Sequence, residues 1–236
     1  MSPSIPDSIE WTPAAAPSPV TLRGRYVTVE PLDGPRHGAA LWAAVEGHND
    51  LWTWLAYGPF VSQSEMVEFI ERWRQAEPAV LLAIVPADSS QPQTAPFLVG
   101  GGAAGWASYM RANPAHGVVE VGNILFSPAL QRTRAATEAM YLMAGHVFEH
   151  LGYRRFEWKC NAENQPSRRA ALRLGFTFEG IFRQHMVIKG CNRDTAWFSM
   201  LDKEWPARKR AFEAWLNPAN FTADGQQRTS LAKSLP

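Results

Sequence analysis

Apolar and polar positions alternate through VTLRGRYVTVEPL, residues 20–32, with Val20, Leu22 and Tyr26 in step, which predicts a first strand. In GPRHGAALWAAVEG the apolar spacing becomes that of a short helix closed by Gly47. An aromatic loop, HNDLWTWLAYGPF, follows. Ser62 and Glu65 have capping-box spacing and predict a helix from Glu65 to Gln75 that buries Met66, Phe69, Ile70 and Trp73. AVLLAIV is a buried strand, and the polar PADSSQPQTAP is its exit loop. FLVGGGAAGWASYM and VVEVGNILF predict two strands joined at NPAHG, with Gly100, Gly101, Gly102 and Gly105 marking a bulge or a close backbone approach. The next helix carries Ala139, Leu142, Met143, His146, Val147 and Leu151 on one side. YRRFEWKC is a strand, and NQPSRRAALRLG is a shorter helix with Pro166 in its first turn and Gly175 past its end. The strands FTFEGIFRQHMVI and RDTAWFSML and the helix EWPARKRAFEAWL complete a mixed α/β pattern. Residues 1–19, rich in Pro, Ser and Ala, and the polar residues 217–236 read as tails or draped arms around one domain, residues 20–216.

Composition narrows the chemistry. The 236 residues are 46% hydrophobic and 19% charged, enough for one sizeable core. Net charge is +1, from 23 Lys and Arg against 22 Asp and Glu, so no global field draws the chain to nucleic acid or an anionic membrane. Phosphate, if bound, is gripped locally. Two cysteines, Cys160 and Cys191, without CxxC spacing, point to neither a disulfide framework nor a metal cluster. MSPSIPDSIEWTPAAAPSP has no basic start or apolar run, and no segment has the ~20 apolar residues that span a bilayer; a cytoplasmic protein is expected.

The stretch FSPALQRTRAATEAM offers a local grip. A helix N-terminus leaves about four backbone N–H groups unpartnered and carries partial positive charge. Residues Gln131 to Thr137 supply such amides, Arg132 and Arg134 add cations, and Thr133 and Thr137 add hydroxyls. The alternative is an ordinary helix start whose arginines face water.

VEVGNILFSPALQRTRAATEAM, followed by NQPSRRAALRLGFTFEGIFRQH, resembles the GNAT superfamily of acetyl-CoA-dependent N-acyltransferases, and within it the branch like the Rim-type ribosomal-protein N-terminal acetyltransferases. The resemblance spans residues 20–205. It implies the GNAT fold, an α/β arrangement with a central mixed, mostly antiparallel sheet flanked by helices. Acetyl-CoA is the implied co-substrate. The implied acceptor is a primary amine, on a peptide N-terminus or a small molecule, and a homodimer is left open. The family's phosphate loop, Q/R-x-x-G-x-G/A, is met by Gln131 and Ala136, with Arg134 in place of the central glycine. By resemblance, Gln131, Arg132, Thr133, Arg134, Ala135, Ala136 and Thr137 hold the pyrophosphate, and the backbone of Ile124, Leu125 and Phe126 meets the pantetheine arm as an added strand. Asn164 corresponds to the cofactor-side asparagine and equally suits a helix N-cap. Ser167 matches the serine that the Rim-like branch places near the thiol, while the superfamily's more common tyrosine acid would fall at Ala171. Trp52, Trp54 and Tyr57 lie in the region from which the family draws its acceptor pocket; with ten tryptophans in the chain, only one or two of the three are expected there.

Acyl transfer from a thioester needs a neutral amine, a stabilised oxyanion and a protonated leaving thiolate. Glu120, flanked by apolar residues in VVEVG, is the expected base, in surroundings expected to be desolvating; a carboxylate paired with an arginine is the alternative. His116, His146, His185 and Tyr109 are weaker candidates, and Cys160 reads as a buried structural thiol. The rival class is a catalytically silent acyl-CoA-binding module, which Arg134 and the missing tyrosine would suit. A nucleic-acid binder lacks the basic face it would need.

Overall fold

The computed structural model describes residues 9–76, 78–87 and 102–234. The strand expected over residues 20–32 is two strands, β1 (Leu22–Arg23) and β2 (Val27–Pro31), paired antiparallel. The break has a local cause. The Gly24 amide donates to the Val27 carbonyl at 2.8 Å, and the amides of Arg25 and Tyr26 donate to the Glu138 carboxylate at 3.0 and 2.5 Å. A buried glutamate is thus satisfied by the backbone it turns.

Helix α1 (Gly34–Val45) starts where the Asp33 carboxylate accepts the Arg36 amide at 2.9 Å, a cap worth about 1 kcal/mol. Helix α2 (Gln63–Ala76) has the expected box: Ser62 Oγ accepts the Glu65 amide at 3.2 Å, and the Glu65 carboxylate accepts the Val61 amide at 2.7 Å. Strand β3 (Val80–Pro86) lacks alternation because both its faces are covered. Leu82 and Ile84 join one core cluster, and Leu81 and Ala83 join another on the opposite face.

Strands β4 (Gly105–Asn113) and β5 (Val118–Phe126) flank a 3₁₀ turn at Pro114–His116, capped by Asn113 Oδ1 accepting the His116 amide at 3.3 Å. Most of the exit loop expected after β3, and the residues before Gly102, lie outside the described residues, Gly100 and Gly101 included. Gly105 makes the expected close approach, since a Cβ there would collide with the Leu125 carbonyl oxygen.

Helix α3 (Arg134–Gly145) runs on through a π-helical turn at His146–His150. It is followed by β6 (Arg155–Asn161), α4 (Gln165–Arg173), β7 (Thr177–Ile188), β8 (Cys191–Leu201), α5 (Trp205–Leu216) and α6 (Leu231–Ser234). Lys189 and Gly190, with φ of 50° and 75°, form the two-residue turn between β7 and β8, the positive pair that a tight hairpin requires. The sheet order is β1-β2-β3-β4-β5-β6-β8-β7, and the β5–β6 contact is parallel while the others are antiparallel. Helices α1 and α2 cover one face with Leu41, Met66 and Ile70, and α3 and α5 cover the other with Ala139, Met143 and Phe212. Among the described residues no helix is long and apolar enough to cross a membrane.

Both arms dock. At the N-terminal end Trp11 Nε1 donates to the Ala115 carbonyl at 2.7 Å. The C-terminal arm is anchored more deeply: Leu231 is fully buried in the larger core, and Trp215 Nε1 donates to Gln227 Oε1 at 2.7 Å. Replacing a buried leucine by alanine removes about 2–5 kcal/mol. Leu231→Ala should therefore lower the unfolding free energy by that amount, read as a lower denaturation midpoint in chemical unfolding. An unchanged midpoint would show that residues 217–234 lie outside the cooperative unit.

Candidate active site

Strands β5 and β6 pair from Val118↔Arg155 to Val121↔Trp158, and no further. Beyond that point each continues, β5 to Phe126 and β6 to Asn161, with the facing edges unpaired. A bulge in β5 accompanies the separation. Trp106 and Ser108, two apart, oppose Leu125 and Gly122, three apart, and Asn123 takes a left-handed φ of 53°. Ser108, fully buried, holds the bulge: its hydroxyl donates to the Gly122 carbonyl at 3.0 Å and accepts from Asn123 Nδ2 at 3.2 Å. The separation opens into a continuous cleft of about 1420 Å³.

At one end of the cleft lies the start of α3. Thr133 is its N-cap, with Oγ1 accepting the Ala136 amide at 3.0 Å, while the amides of Leu130 and Gln131 turn back to the Ser127 carbonyl, both at 3.0 Å. Among the described residues the amides of Arg132, Arg134 and Ala135 have no acceptor, and all three residues line the cleft. Arg132 adopts φ 62°, a conformation costly for a side chain, at this same turn. Arg134, which stands where the family has its central glycine, is the first helical residue and needs no glycine. Its guanidinium lies between the Tyr26 and Phe221 rings, 5.1 and 4.4 Å from their centroids. Gln131 Nε2 is tied to the Phe126 carbonyl at 3.0 Å. The Thr137 hydroxyl donates to the Thr133 carbonyl at 3.2 Å and accepts from Arg173. Ile124, Leu125 and Phe126 line the cleft along the unpaired edge of β5.

Across the cleft, Asn164 caps α4 by accepting the Ser167 amide at 3.1 Å and also faces the cleft, so the cap and a ligand contact are compatible. Ser167 Oγ accepts from Trp158 Nε1 at 3.0 Å and touches the Cys160 thiol, whose pKa burial pushes up while the serine contact opposes the shift. Ala171, at the tyrosine position, is buried in the core. Arg168 is tied to the Ala162 carbonyl at 3.0 Å, whereas Arg169 lines the cleft.

At the other end sits Glu120, buried and lining the cleft, and paired with an arginine as the alternative reading had it. Its apolar neighbours Val119 and Val121 belong to the larger core cluster. The carboxylate itself meets charges. Arg111 Nη1 donates to both its oxygens at 3.0 and 2.9 Å, and Lys159 Nζ pairs with Oε2 at 2.9 Å. Lys159 also pairs with Glu157 at 2.7 Å and lies 3.8 Å from the centroid of the Trp197 ring, and Arg155 links Glu157 to Glu179.

The three loop aromatics divide. Trp54 lines the cleft beside Leu51, Leu55 and Ala56. Trp52 is buried in the second core cluster, 5.1 Å from Phe60 and 6.0 Å from Trp106, and Tyr57 packs there too, its hydroxyl accepting from Trp106 Nε1 at 3.2 Å. Both fill the space between the loop and α2 and do not wall the cleft. The loop is nevertheless fastened to the site, because Lys189 at the β7–β8 turn donates to the Trp52 carbonyl at 2.8 Å. Tyr109 donates to the Met143 carbonyl at 2.9 Å and is buried in the larger core, and His116 is exposed. His146 packs near Tyr109, and burial lowers its pKa.

Several residues of the cleft had no expected role: Asn123 of the bulge, which buried Ser108 supports from behind, Lys159, Arg193 of β8, and Phe221 and Gln227 of the C-terminal arm. An asparagine inside an otherwise apolar strand run was a usable signal for the bulge. Among the described residues no group of three or more His, Cys, Asp or Glu side chains is placed to hold a metal.

The acetyltransferase (GNAT) domain model matches residues 28–177. A GCN5-related N-acetyltransferase from Brucella melitensis is 45% identical, with a TM-score of 0.86 over 95% of this chain and 97% of that one. A GNAT-family acetyltransferase from Chromobacterium violaceum is 42% identical, with a TM-score of 0.74 over 88% of this chain and 98% of that one. An acetyl transferase from Salmonella typhimurium that modifies the N-terminal serine of a ribosomal subunit protein shares the fold, at 19% identity and a TM-score of 0.60 over 75% of this chain and 96% of that one. No curated relative matches. The chain belongs to the GNAT acetyltransferase family.

The two thiols test the description of the cleft floor. Cys191 is exposed and Cys160 is buried with its pKa raised. Because the thiolate is the reactive form, iodoacetamide at neutral pH should label Cys191 and leave Cys160 largely unmodified, as read by peptide mass. Equal labelling would contradict the placement of Cys160.

Proposed function

We propose that this chain transfers the acetyl group of acetyl-CoA to a primary amine by direct attack in a ternary complex. The observation that carries the reading is the unpaired edge of β5 ending at the acceptor-free amides of the α3 start. Those features suit the two polar parts of coenzyme A. The backbone of Ile124, Leu125 and Phe126 takes the amide-bearing arm by strand addition. The amides of Arg132, Arg134 and Ala135, with Arg132 close by, hold the pyrophosphate at the helix N-terminus. Asn164 meets the arm from the opposite wall.

Glu120 is assigned as the base. Arg111 and Lys159 fix its carboxylate and leave lone-pair positions for an incoming amine N–H. The amine nitrogen bonds to the thioester carbon as its proton passes to Glu120, directly or through one water, and the carbon–sulfur bond then breaks. Ser167, whose Oγ already accepts from Trp158, turns its hydroxyl proton from the Cys160 sulfur to the departing thiolate, which is finally protonated from solvent. The motif resemblance to Rim-type enzymes supports a peptide N-terminus as acceptor, and a small-molecule amine is the other class.

Purified protein with acetyl-CoA and a panel of amines should release free thiol. Coenzyme A alone should raise the melting temperature by mass action. Binding without turnover of any amine would leave a silent acyl-CoA-binding module. Removal of a general base costs about 10²- to 10⁴-fold in rate. Glu120→Gln should therefore lower kcat by that order with coenzyme A binding preserved. A near-normal rate in a folded variant would exclude Glu120 as base.

A further inference from the structure

The cations around Glu120 are unevenly matched. Arg111 is paired with Glu120, and Lys159 with both Glu120 and Glu157. Arg193 lines the same end of the cleft, half-buried, and makes no ion pair among the described residues. Its one hydrogen bond there runs from Nε to Thr195 Oγ1 at 3.2 Å. Both terminal nitrogens are left with no acceptor among the described residues, a planar fork of N–H donors at a cleft wall.

The fork is held in place. Thr195 is buried, and its hydroxyl also meets His185 Nδ1 at 3.0 Å. Opposite it, β7 bulges: Phe182 and Met186, four apart, face Thr195 and Arg193, two apart, with Gln184 at φ 50°. Asp194 does not neutralise its neighbour. Its Oδ1 is taken by the Gln184 amide at 2.7 Å and Asn192 Nδ2 at 2.9 Å. Burial pulls the Arg193 pKa below the ordinary guanidinium value, in keeping with a cation that has lost water and gained no direct partner. A desolvated charge without a partner is costly, and a guanidinium fork matches a carboxylate in shape and charge.

We propose that the acceptor is an amine that also carries a carboxylate, and that Arg193 binds this carboxylate while the amine faces Glu120. The proposal rests on the acetyl-transfer reading and deepens it by giving the acceptor's chemical class. Arg193 is a specificity-determining residue in this account. The carboxylate has two sources, a free amino acid or an acidic residue near a peptide N-terminus, and the experiment has an arm for each.

One arm compares glycine, β-alanine and γ-aminobutyrate with their carboxamides. The other compares a peptide amide with aspartate at its second position with its asparagine twin. The wild type should use the acid of at least one pair with kcat/KM about tenfold or more above its neutral twin. Arg193→Gln should erase that preference mainly through KM, and Arg193→Lys should keep part of it. A second readout needs no turnover: calorimetric binding of N-acetyl-β-alanine and of its amide in the presence of coenzyme A, with the fold of each variant checked by its melting curve. Preferential binding of the acid that Arg193→Gln removes would support the anion site even if no amine is acetylated, in which case the acetyl-transfer reading alone fails. Equal use and equal binding of acid and neutral twin by the wild type would overturn the proposal, as would an acid preference that survives in Arg193→Gln.

Discussion

The structure depends on the point where β5 and β6 stop pairing. Two adjacent parallel strands ordinarily share evenly spaced hydrogen bonds, and an unpaired backbone group away from water costs as much as a lost bond. Here pairing ends at Val121↔Trp158 while both strands run on, and the bulge at Asn123, fixed by buried Ser108, lies just beyond that point. The opening places the starts of α3 and α4 on either side of one cleft. Each helix is capped by a side chain, Thr133 or Asn164, and Arg132 next to the first cap takes a strained φ of 62°. Strain is kept where amides must face outward.

A second constraint is electrostatic. The charges of Arg111, Glu120, Lys159, Glu157, Arg155 and Glu179 link strands β4 to β7 across the sheet. The pairs of Lys159 with Glu120 and Glu157 are buried, and such pairs contribute little net stability against an apolar replacement, yet breaking one member is costly. Their value lies in orientation. They fix the Glu120 carboxylate at the cleft wall, while Arg193 next to them makes no ion pair among the described residues.

Much of the fold was legible because its signals are local. The capping box at Ser62 and Glu65 and the run AVLLAIV act through neighbours in sequence. The helix start of α3 within residues 131–137 was legible for the same reason, while its first residue, Arg134, whose helical position explains the missing glycine, was not. What was hidden depends on register between distant strands. Nothing in VVEVG shows that Arg111 and Lys159 will lie against Glu120, or that Arg193 will share their cleft. Trp52 and Trp54 differ by two positions in the same loop, yet one enters the core and the other the cleft, a choice made by the packing of α2. The C-terminal arm lacked periodicity because it is anchored by few residues, Leu231 chief among them.

In the proposed reaction the unpaired edge of β5 and the start of α3 together receive coenzyme A. Amide hydrogen exchange with and without coenzyme A tests it most directly, since it reads the backbone groups themselves. The account predicts slowed exchange at Ile124 to Phe126 and at Arg132, Arg134 and Ala135 when coenzyme A is bound, with little change in the α1–α2 core. Unchanged exchange at both segments under saturating coenzyme A would contradict it.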